Sequence, residues 1–457
     1  MLVMKFGGTS VQDAEAIARA CDIVRGRLEQ NPLVVVSAMA KVTDQLIAMA
    51  ESAGAGERDQ ALELSRAARE RHYVTAGELL GTGVFTEFHS ELESDFDALD
   101  ELLRGISAVR ELTPRTMDRV VANGELLSSK LVAAAFSARG LDASLVDSRN
   151  VLVTDEAFTK AVPAFDLTHQ RLRELVQPLL DRRRIPVMGG FIGATRDGVT
   201  TTIGRGGSDF SAAIFGAGLN ATRIEIWSDV DGMMTTDPRL CPDARRIKVV
   251  SFDEAAELAY FGAKVLHPAT LLPAVQKNIP VYILNSHNPK CDGTAIVSQA
   301  PHSKNTFKAI AAKKRVTIVD VVATRMLGAH GYLRAVFEVF DRHRCPVDMV
   351  STSEISVSLT VDSTEHIPAI AEDLGKLGDV KYEGRKAIVC LVGENIRATH
   401  GIAARVFAAV EGINIRMISQ GASEINIGFV IEEDDVPEAV RRLHQAFFSE
   451  IDPEVFA

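Results

Sequence analysis

The sequence predicts an α/β protein in which a mostly parallel sheet, sandwiched by helices, is followed by two small βαββαβ units. Over the first 300 residues, short apolar runs alternate with amphipathic helical patterns, which is typical of strands and their crossover helices. A stretch rich in Pro, Gly, Asn and Ser, from 285 to 305, then predicts a linker. Beyond it the sequence repeats itself 70 residues later, which indicates two copies of one unit.

The N-terminal region reads as a series of strands and helices. LVMKF at residues 2–6 predicts the first strand, residues 13–29 a helix, and LVVVSA the second strand. The charged segment 57–104, rich in Ala, Leu and Glu, predicts two helices that elaborate the fold. Further apolar runs predict strands at 143–147, 185–193, 223–229 and 279–285.

The repeat defines the C-terminal organisation. One copy begins at Ala329 and the other at Thr399, and a glycine, a Val-Phe pair and a Ser-Glu-Ile triplet recur 70 residues apart. A two-residue gap between the Val-Phe pair and Met417 completes the alignment. Each copy has the order strand, helix, strand, strand, helix, which suits a βαββαβ sandwich. The predicted domains are 1–300, then 314–383, and a third made of 304–313 plus 384–457.

Composition excludes several classes of function. The net charge of −11 argues against a general nucleic-acid or anionic-membrane binder, because both need a basic surface. The five cysteines are far apart and predict reduced thiols. No N-terminal signal pattern is present, and the longest apolar runs are shorter than the roughly 18 residues of a membrane helix. We therefore expect a cytoplasmic protein with no membrane and no nucleic-acid partner.

The first motif with chemical meaning is KFGGTSV, at the end of the first strand. Adjacent glycines allow backbone N–H groups to approach a phosphate, and Lys5 can neutralise charge on a transferred phosphoryl group. On this pattern alone, a purely structural turn is the favoured interpretation.

The second motif, TTTIGRGGSD, is a glycine-rich loop before a helical stretch. Arg205 can hold a carboxylate in a bidentate fork. Asp209 could orient Lys5, hold a metal or bind an amine. A solvated Gly-Arg turn is the alternative.

Two more segments place polar groups at element ends. Ser228 and Asp229 follow a buried strand, where ligands collect in α/β sheets, and Arg239 follows in a turn where it can meet a polyphosphate. Glu125 opens a helix, which could be no more than a favourable interaction with the helix dipole. A G-x-G-x-x-A match at 216–221 precedes a strand instead of following one, so it does not indicate dinucleotide binding.

Together these motifs resemble those of the monofunctional aspartate kinases. The resemblance rests on KFGGTSV, TTTIGRGGSD, WSDVDGMMTTDPR and FGAKVLHPAT, and the tandem repeat resembles a pair of ACT domains. It implies an amino-acid kinase fold followed by two ferredoxin-like ACT domains, which would occupy 314–383 and 304–313 plus 384–457. The implied reaction is transfer of a phosphoryl group from MgATP to the side-chain carboxylate of L-aspartate, at the start of the route to lysine, threonine and methionine.

The resemblance also implies roles for individual residues. Lys5 and Asp209 are the expected catalytic pair, and no protein side chain is expected to bind the metal. The aspartate-binding positions are Ser37, Thr43, Glu125, Arg205 and Ser208. The ATP-binding positions are Lys5, Gly7, Gly8, Ser228, Asp229, Met234, Arg239 and Lys264, where Met234 replaces a tyrosine that lysine-sensitive relatives often carry.

An effector pocket is implied in the first repeat. Gly328 and Ala329 stand where lysine-inhibited relatives have polar His and Ser, which leaves the effector open, with lysine favoured over threonine. The matching effector positions are Met326, Gly331, Asp348, Thr352, Ser353 and Glu354. Paired sandwiches of this kind also predict a homodimer through the repeats, which could extend to a tetramer.

Two alternative functions remain at this point. The chain could be a kinase for another amino-acid carboxylate, such as glutamate or acetylglutamate. It could also be an amino-acid sensor without kinase activity that uses only its repeats. The presence of Lys5, Arg205 and Asp209 together favours a kinase over a sensor.

Overall fold

The computed structural model describes residues 1–204, 206–261, 268–323 and 330–457. The chain divides into two units: Met1–Met233 with Val265–Ala300 form the first, and Met234–Lys264 with Pro301–Ala457 form the second. The second unit thus includes residues 234–264, which lie inside the predicted N-terminal domain of residues 1–300. In the described part of the chain, no helix has the length and apolar character needed to cross a membrane.

The strands and helices are numbered along the described chain. The strands are β1 (Leu2–Phe6), β2 (Pro32–Val36), β3 (Ala143–Val146), β4 (Val153–Thr154), β5 (Ile185–Gly189), β6 (Ile192–Thr195), β7 (Thr200–Thr202), β8 (Arg223–Ser228), β9 (Val249–Ser251), β10 (Val281–Asn285), β11 (Thr294–Val297), β12 (Phe307–Val322), β13 (Val347–Thr352), β14 (Ser356–Asp362), β15 (Asp379–Gly393), β16 (Met417–Gln420) and β17 (Asn426–Glu432). The α-helices are α1 (Ala14–Arg25), α2 (Val42–Gly54), α3 (Arg58–Leu79), α4 (Thr82–Val109), α5 (Pro114–Val121), α6 (Asn123–Ala138), α7 (Phe165–Arg171), α8 (Gln177–Asp181), α9 (Gly207–Gly218), α10 (Phe252–Tyr260), α11 (Leu272–Gln276), α12 (Tyr332–Arg342), α13 (Ile367–Leu374), α14 (Ile402–Ala409) and α15 (Val436–Phe448).

The first unit is built on a mostly parallel sheet, as predicted. Its strands follow the order β3-β5-β2-β1-β8-β10-β11, and every neighbouring pair is parallel except β10 with β11. Residues 33–36 of β2 are fully buried, since helices cover such sheets on both faces. Side chains of a strand alternate between faces. Leu2, Met4 and Phe6 pack into the core formed with the N-terminal helices, so Lys5 points to the opposite face.

Three sequence expectations for this unit have clear outcomes. The two helices predicted in 57–104 are confirmed as α3 and α4. The single strand predicted at 185–193 is wrong, because the chain turns at Phe191, whose φ is +63°, and divides into β5 and β6 of two different sheets. The predicted linker at 285–305 is also wrong in its middle, where β11 pairs antiparallel with β10.

The repeats of the second unit share one six-stranded sheet. Its order is β13-β14-β12-β15-β17-β16, and the pairs are antiparallel. The long strands β12 and β15 serve both repeats, and their pairing shifts register between Lys313 and Val316. Arg315 and Arg385 adopt left-handed backbone conformations close to this shift, with φ of 59° and 55°. The repeat boundaries predicted at 313/314 and 383/384 lie at this irregularity.

All five cysteines are free in the structure. Four of them are buried, and burial raises the pKa of the Cys390 thiol well above its ordinary value. Neutral thiols of this kind behave as small apolar core residues.

Candidate active site

The centre of the site is an ion pair beside the central strand β1. Lys5 is only 9% exposed, and its Nζ lies 2.7 Å from Oδ1 of Asp209. Asp209 belongs to the first turn of α9, where the positive end of the helix dipole stabilises a carboxylate. The structure therefore places an ammonium group on the sheet face that carries α9, with its position fixed by Asp209.

The two glycines after β1 bring the backbone close to neighbouring segments. The Gly7 N–H donates to the Trp227 carbonyl at 2.9 Å, which continues the alignment of β1 with β8. A Cβ on Gly8 would lie only 2.9 Å from the Ala38 carbonyl oxygen, so a side chain there would displace the backbone of 38–40. This contact explains the glycine at 8 on packing grounds alone.

Glu125 is a buried acid with an unused oxygen. It lies in the first turn of α6 and is 3% exposed, and its Oε1 accepts a hydrogen bond from the Ala38 N–H at 3.2 Å. Its Oε2 is buried and has no hydrogen-bond partner among the described residues. Burial raises the pKa of Glu125 to about 8, against the opposing effects of the Ala38 hydrogen bond and the Lys5 charge. An ammonium group beside Oε2 would satisfy this oxygen and favour its ionised form.

These groups face one cavity of about 620 Å³ within the first unit. Ser37 lies at the end of β2, where its carbonyl accepts from the Ser128 hydroxyl at 2.7 Å. Thr43 lies in the first turn of α2, and Ser208 precedes Asp209 in α9. The predicted positions that line the cavity are Lys5, Gly8, Ser37, Thr43, Glu125, Ser208 and Asp209.

Sequence reasoning missed several residues of the same cavity. Asp118, Thr159, Phe191 and Thr202 also line it. Thr202 stood within a motif already recognised, but nothing near Asp118 or Thr159 resembles a binding pattern. Their positions depend on contacts between distant segments, which sequence spacing does not reveal.

The predicted nucleotide-binding positions are distributed over both units. In the first unit, Ser228 ends β8, and its hydroxyl is buried without a partner among the described residues, while Asp229 is exposed. Met234 and Arg239 belong to the second unit, where the exposed Arg239 guanidinium forms a bidentate pair with Asp237 and lowers the pKa of that carboxyl. Two predicted positions, Arg205 and Lys264, lie outside the described residues.

No group of three or more His, Cys, Asp or Glu side chains in the described ranges could hold a metal ion. Asp209, which lies beside Lys5, already pairs with the lysine.

The predicted effector positions lie mostly on β13 and the following turn. Gly331 precedes α12 with a φ of 79°, and Thr352, Ser353 and Glu354 are exposed. Asp348 differs, because its side chain is only 2% exposed and its Oδ1 receives bonds from the Lys313 ammonium and the Tyr260 hydroxyl, both at 2.7 Å. Its Oδ2 is buried and has no hydrogen-bond partner in the described structure. Met326, Gly328 and Ala329 lie outside the described residues.

Two family models match the chain. The amino acid kinase family matches residues 1–285, and an ACT domain model matches residues 319–372 and 389–447. The tandem ACT prediction is therefore confirmed as a domain type.

Curated proteins and solved structures agree with these matches. The chain is 38% identical to aspartokinase 2, chloroplastic, of Arabidopsis thaliana, over 99% of this chain and 85% of that protein. It is 37% identical to lysine-sensitive aspartokinase 3 of Escherichia coli K12, over 98% and 99% of the two chains. The structure of E. coli aspartokinase III with aspartate and ADP matches with a TM-score of 0.86, 36% identity, and coverage of 98% and 100%. The chain belongs to the aspartokinase family.

Proposed function

We propose that this protein transfers the γ-phosphoryl group of MgATP to the side-chain carboxylate of L-aspartate, giving 4-phospho-L-aspartate and ADP. The observation that carries the proposal is the buried Lys5–Asp209 pair beside a cavity that also contains the unpaired Oε2 of Glu125. The relative from E. coli was solved with aspartate and ADP, which supports the same two substrates here.

Glu125 gives the cavity a preference for an amino acid. Its unpaired oxygen is a place for the substrate ammonium, since a buried carboxylate is stabilised by an opposite charge. Arg205 remains our candidate for the α-carboxylate, and Ser37, Thr43 and Ser208 for further polar contacts. The side-chain carboxylate of aspartate would then face Lys5.

The transfer step requires little from the protein beyond position and charge. A side-chain carboxylate is ionised at neutral pH, so it attacks the γ-phosphorus without a general base. The new bond joins the carboxylate oxygen to phosphorus, and the bond from phosphorus to the β,γ-bridging oxygen breaks with its electron pair leaving on ADP. Lys5 compensates the negative charge that spreads over the transferred group, and Asp209 keeps its ammonium in place.

The remaining nucleotide contacts belong to the proposal as well. We assign Gly7, Gly8, Ser228, Asp229, Met234, Arg239 and Lys264 to ATP. Mg²⁺ would arrive with the nucleotide and be held mainly by its phosphates.

Regulation by an end product is the second part of the proposal. One relative is described as lysine-sensitive, and the E. coli enzyme was also solved with lysine and aspartate. We propose lysine as the effector of the first repeat, with threonine as the alternative. A homodimer through the repeats, possible growth to a tetramer and a cytoplasmic location stay predictions.

Trapping the product with hydroxylamine tests the kinase proposal. Acyl phosphates form a hydroxamate, so the protein with MgATP and L-aspartate should give a signal that is absent without ATP. Parallel reactions with L-glutamate and N-acetylglutamate separate this function from that of related kinases. No hydroxamate with any of the three substrates would leave the sensor without kinase activity as the better interpretation.

A further inference from the structure

Asp118 is a buried carboxylate at the wall of the active-site cavity, and no sequence motif includes it. It lies on α5 and is only 1% exposed. Polar side chains buried this deeply are retained where their hydrogen bonds are satisfied. Its position beside the predicted substrate residues raises the question of what it holds in place.

Both carboxylate oxygens of Asp118 accept hydrogen bonds from segments distant in sequence. Oδ2 accepts from the Thr159 N–H at 2.9 Å and the Thr202 N–H at 3.0 Å, and Oδ1 accepts from the Thr202 hydroxyl at 2.6 Å. Burial raises the pKa of Asp118, and these three hydrogen bonds oppose that rise. All three partners are donors, which suits an acceptor and leaves little capacity for a substrate group.

The two segments that donate hydrogen bonds to Asp118, at Thr159 and Thr202, lie next to a glycine-rich turn. We call Gly204, Gly206 and Gly207 the glycine turn. Thr202 ends β7 just before this turn. Thr159 has a φ of +70°, which is unfavourable for a β-branched residue and persists only where surrounding contacts hold it. The Thr159 carbonyl oxygen would lie 3.5 Å from a Cβ on Gly204, which places the two segments against each other.

The glycine turn leads directly into the functional end of α9. Gly207 begins the helix and donates its N–H to the Gly204 carbonyl at 3.0 Å. Ser208 and Asp209 follow, and Asp209 pairs with Lys5. A shift of the turn would therefore move the groups assigned to aspartate and to the reacting lysine.

We propose that Asp118 is a positioning residue that fixes the glycine turn, and with it the aspartate-binding side of the cavity, through its bonds to Thr159 and Thr202. The inference rests on the proposed kinase function for its kinetic consequence. It assigns no direct contact with substrate to Asp118.

The test compares Asp118→Ala with Asp118→Asn. An asparagine can accept both backbone N–H groups with its amide oxygen and donate its NH₂ to the Thr202 hydroxyl oxygen, so it keeps the geometry without the charge. We expect the alanine variant to raise KM for aspartate and lower kcat/KM by about tenfold or more, since losing bonds to a charged acceptor has effects of that order. KM for ATP should change by less than about twofold, and Asn should restore most of the loss.

A matched control is Asp100→Ala. Asp100 is another buried aspartate of the first unit, 9% exposed, which accepts from the Ser65 hydroxyl at 2.6 Å and does not line the cavity. Its loss should lower the unfolding temperature and leave both KM values unchanged. If Asp118→Ala behaves like this control, or if Asp118→Asn is as impaired as Asp118→Ala, the positioning role is wrong.

Amide hydrogen exchange supplies a readout that does not need kinase activity. Exchange in residues 203–209 should rise in Asp118→Ala and return towards the original level in Asp118→Asn. Unchanged exchange in the alanine variant would overturn the inference. Absence of hydroxamate formation by the unmodified protein would instead overturn the proposed function, so the two failures are distinguishable.

Discussion

Two lysine–aspartate pairs of the same length lie in different surroundings in this protein. Lys5–Asp209 in the first unit and Lys313–Asp348 in the second both have N–O distances of 2.7 Å. The first pair faces a cavity of about 620 Å³, whereas Asp348 is covered and also accepts from the Tyr260 hydroxyl. The comparison teaches that the pair itself does not determine its role. The open cavity beside the first pair fits the catalytic role proposed for it, whereas the buried Oδ2 of Asp348, which has no hydrogen-bond partner among the described residues, fits the effector role proposed for the second.

The two repeats differ in charge at equivalent positions. With the two-residue gap placed between the Val-Phe pair and Met417, Asp348 of the first repeat aligns with Arg416 of the second. Around Asp348, the Lys313 ammonium pairs with the carboxylates of both Asp348 and Asp362, so one positive charge serves two negative charges. The corresponding cluster around Arg416 has two positive and two negative groups, namely Arg416, Lys386, Glu383 and Glu432. The cluster around Asp348 therefore has one negative charge in excess, which an additional cation would balance. This excess fits our proposal that the ammonium group of an effector binds there.

The largest effect should distinguish the two lysine pairs. Lys5→Met should lower kcat by roughly a hundred- to a thousandfold, the range seen when one preorganised charge-stabilising group is lost. Lys313→Met, its matched control, should keep the rate of hydroxamate formation within about twofold. Comparable losses in both variants would show that the closed pair also serves catalysis and would end the distinction.

The difference between the repeats predicts where lysine acts. Lysine should raise the unfolding temperature of the unmodified protein, because a ligand at a hundred times its Kd adds about 2.7 kcal/mol of stability. Asp348→Ala should abolish this shift, since it removes an acceptor of the proposed ammonium, while Arg416→Ala should retain it. If the shift persists in Asp348→Ala and disappears in Arg416→Ala, the effector binds in the second repeat and our assignment to the first repeat is wrong.

Glu125 should make aspartate binding depend on pH. Its pKa of about 8 means that it is largely protonated at pH 7 in the free cavity, and the substrate ammonium binds better to the ionised form. KM for aspartate should therefore fall as pH rises from about 6.5 to 8.5 and change little above that range. Glu125→Gln should raise KM by about tenfold and remove this dependence.

The raised pKa of Glu125 also affects stability: rising pH should improve aspartate binding but lower the free energy of unfolding. The folded-state pKa of Glu125 lies above its ordinary value of 4.5, so the folded protein binds more protons than the unfolded chain between these two values. This residue should therefore lower the free energy of unfolding as pH rises from 4.5 to about 8, and Glu125→Gln should flatten that part of the profile. A profile that is identical in the two proteins would contradict the assignment of a buried, unpaired acid.

The smallest effect concerns the stability of the closed pair. Lys313→Met removes the ammonium partner of Asp348 and should lower the free energy of unfolding by about 1.5 kcal/mol, the low end of the range for a hydrogen bond to a charged group. Lys5→Met should cost less, because water in the open cavity can solvate Asp209. Urea denaturation measures the free energy of unfolding of both variants. A larger decrease for Lys5→Met than for Lys313→Met would contradict this prediction.

Much of the fold was predictable because local sequence patterns indicate its strands, helices and repeats. Continuous apolar runs such as β2 predict buried parallel strands, and the 70-residue repeat predicts the two sandwiches. The errors arose where one pattern covered two elements. IPVMGGFIG reads as one strand, but the left-handed turn at Phe191 directs its second half into the β4-β6-β7 sheet. The short strand β11 has too few apolar residues to be distinguished from a linker without its partner β10.

The sequence by itself determined which groups are available: a lysine before two glycines, an acid opening a helix, and a repeated C-terminal unit. Tertiary structure alone decided how they combine. It brought Asp209 to Lys5, left Oε2 of Glu125 without a partner, closed Asp348 under Tyr260, and joined Asp118 to Thr202 across 84 residues of sequence. The physical reason is that strand and helix preferences are local, whereas burial and ion pairing depend on which distant segments pack together.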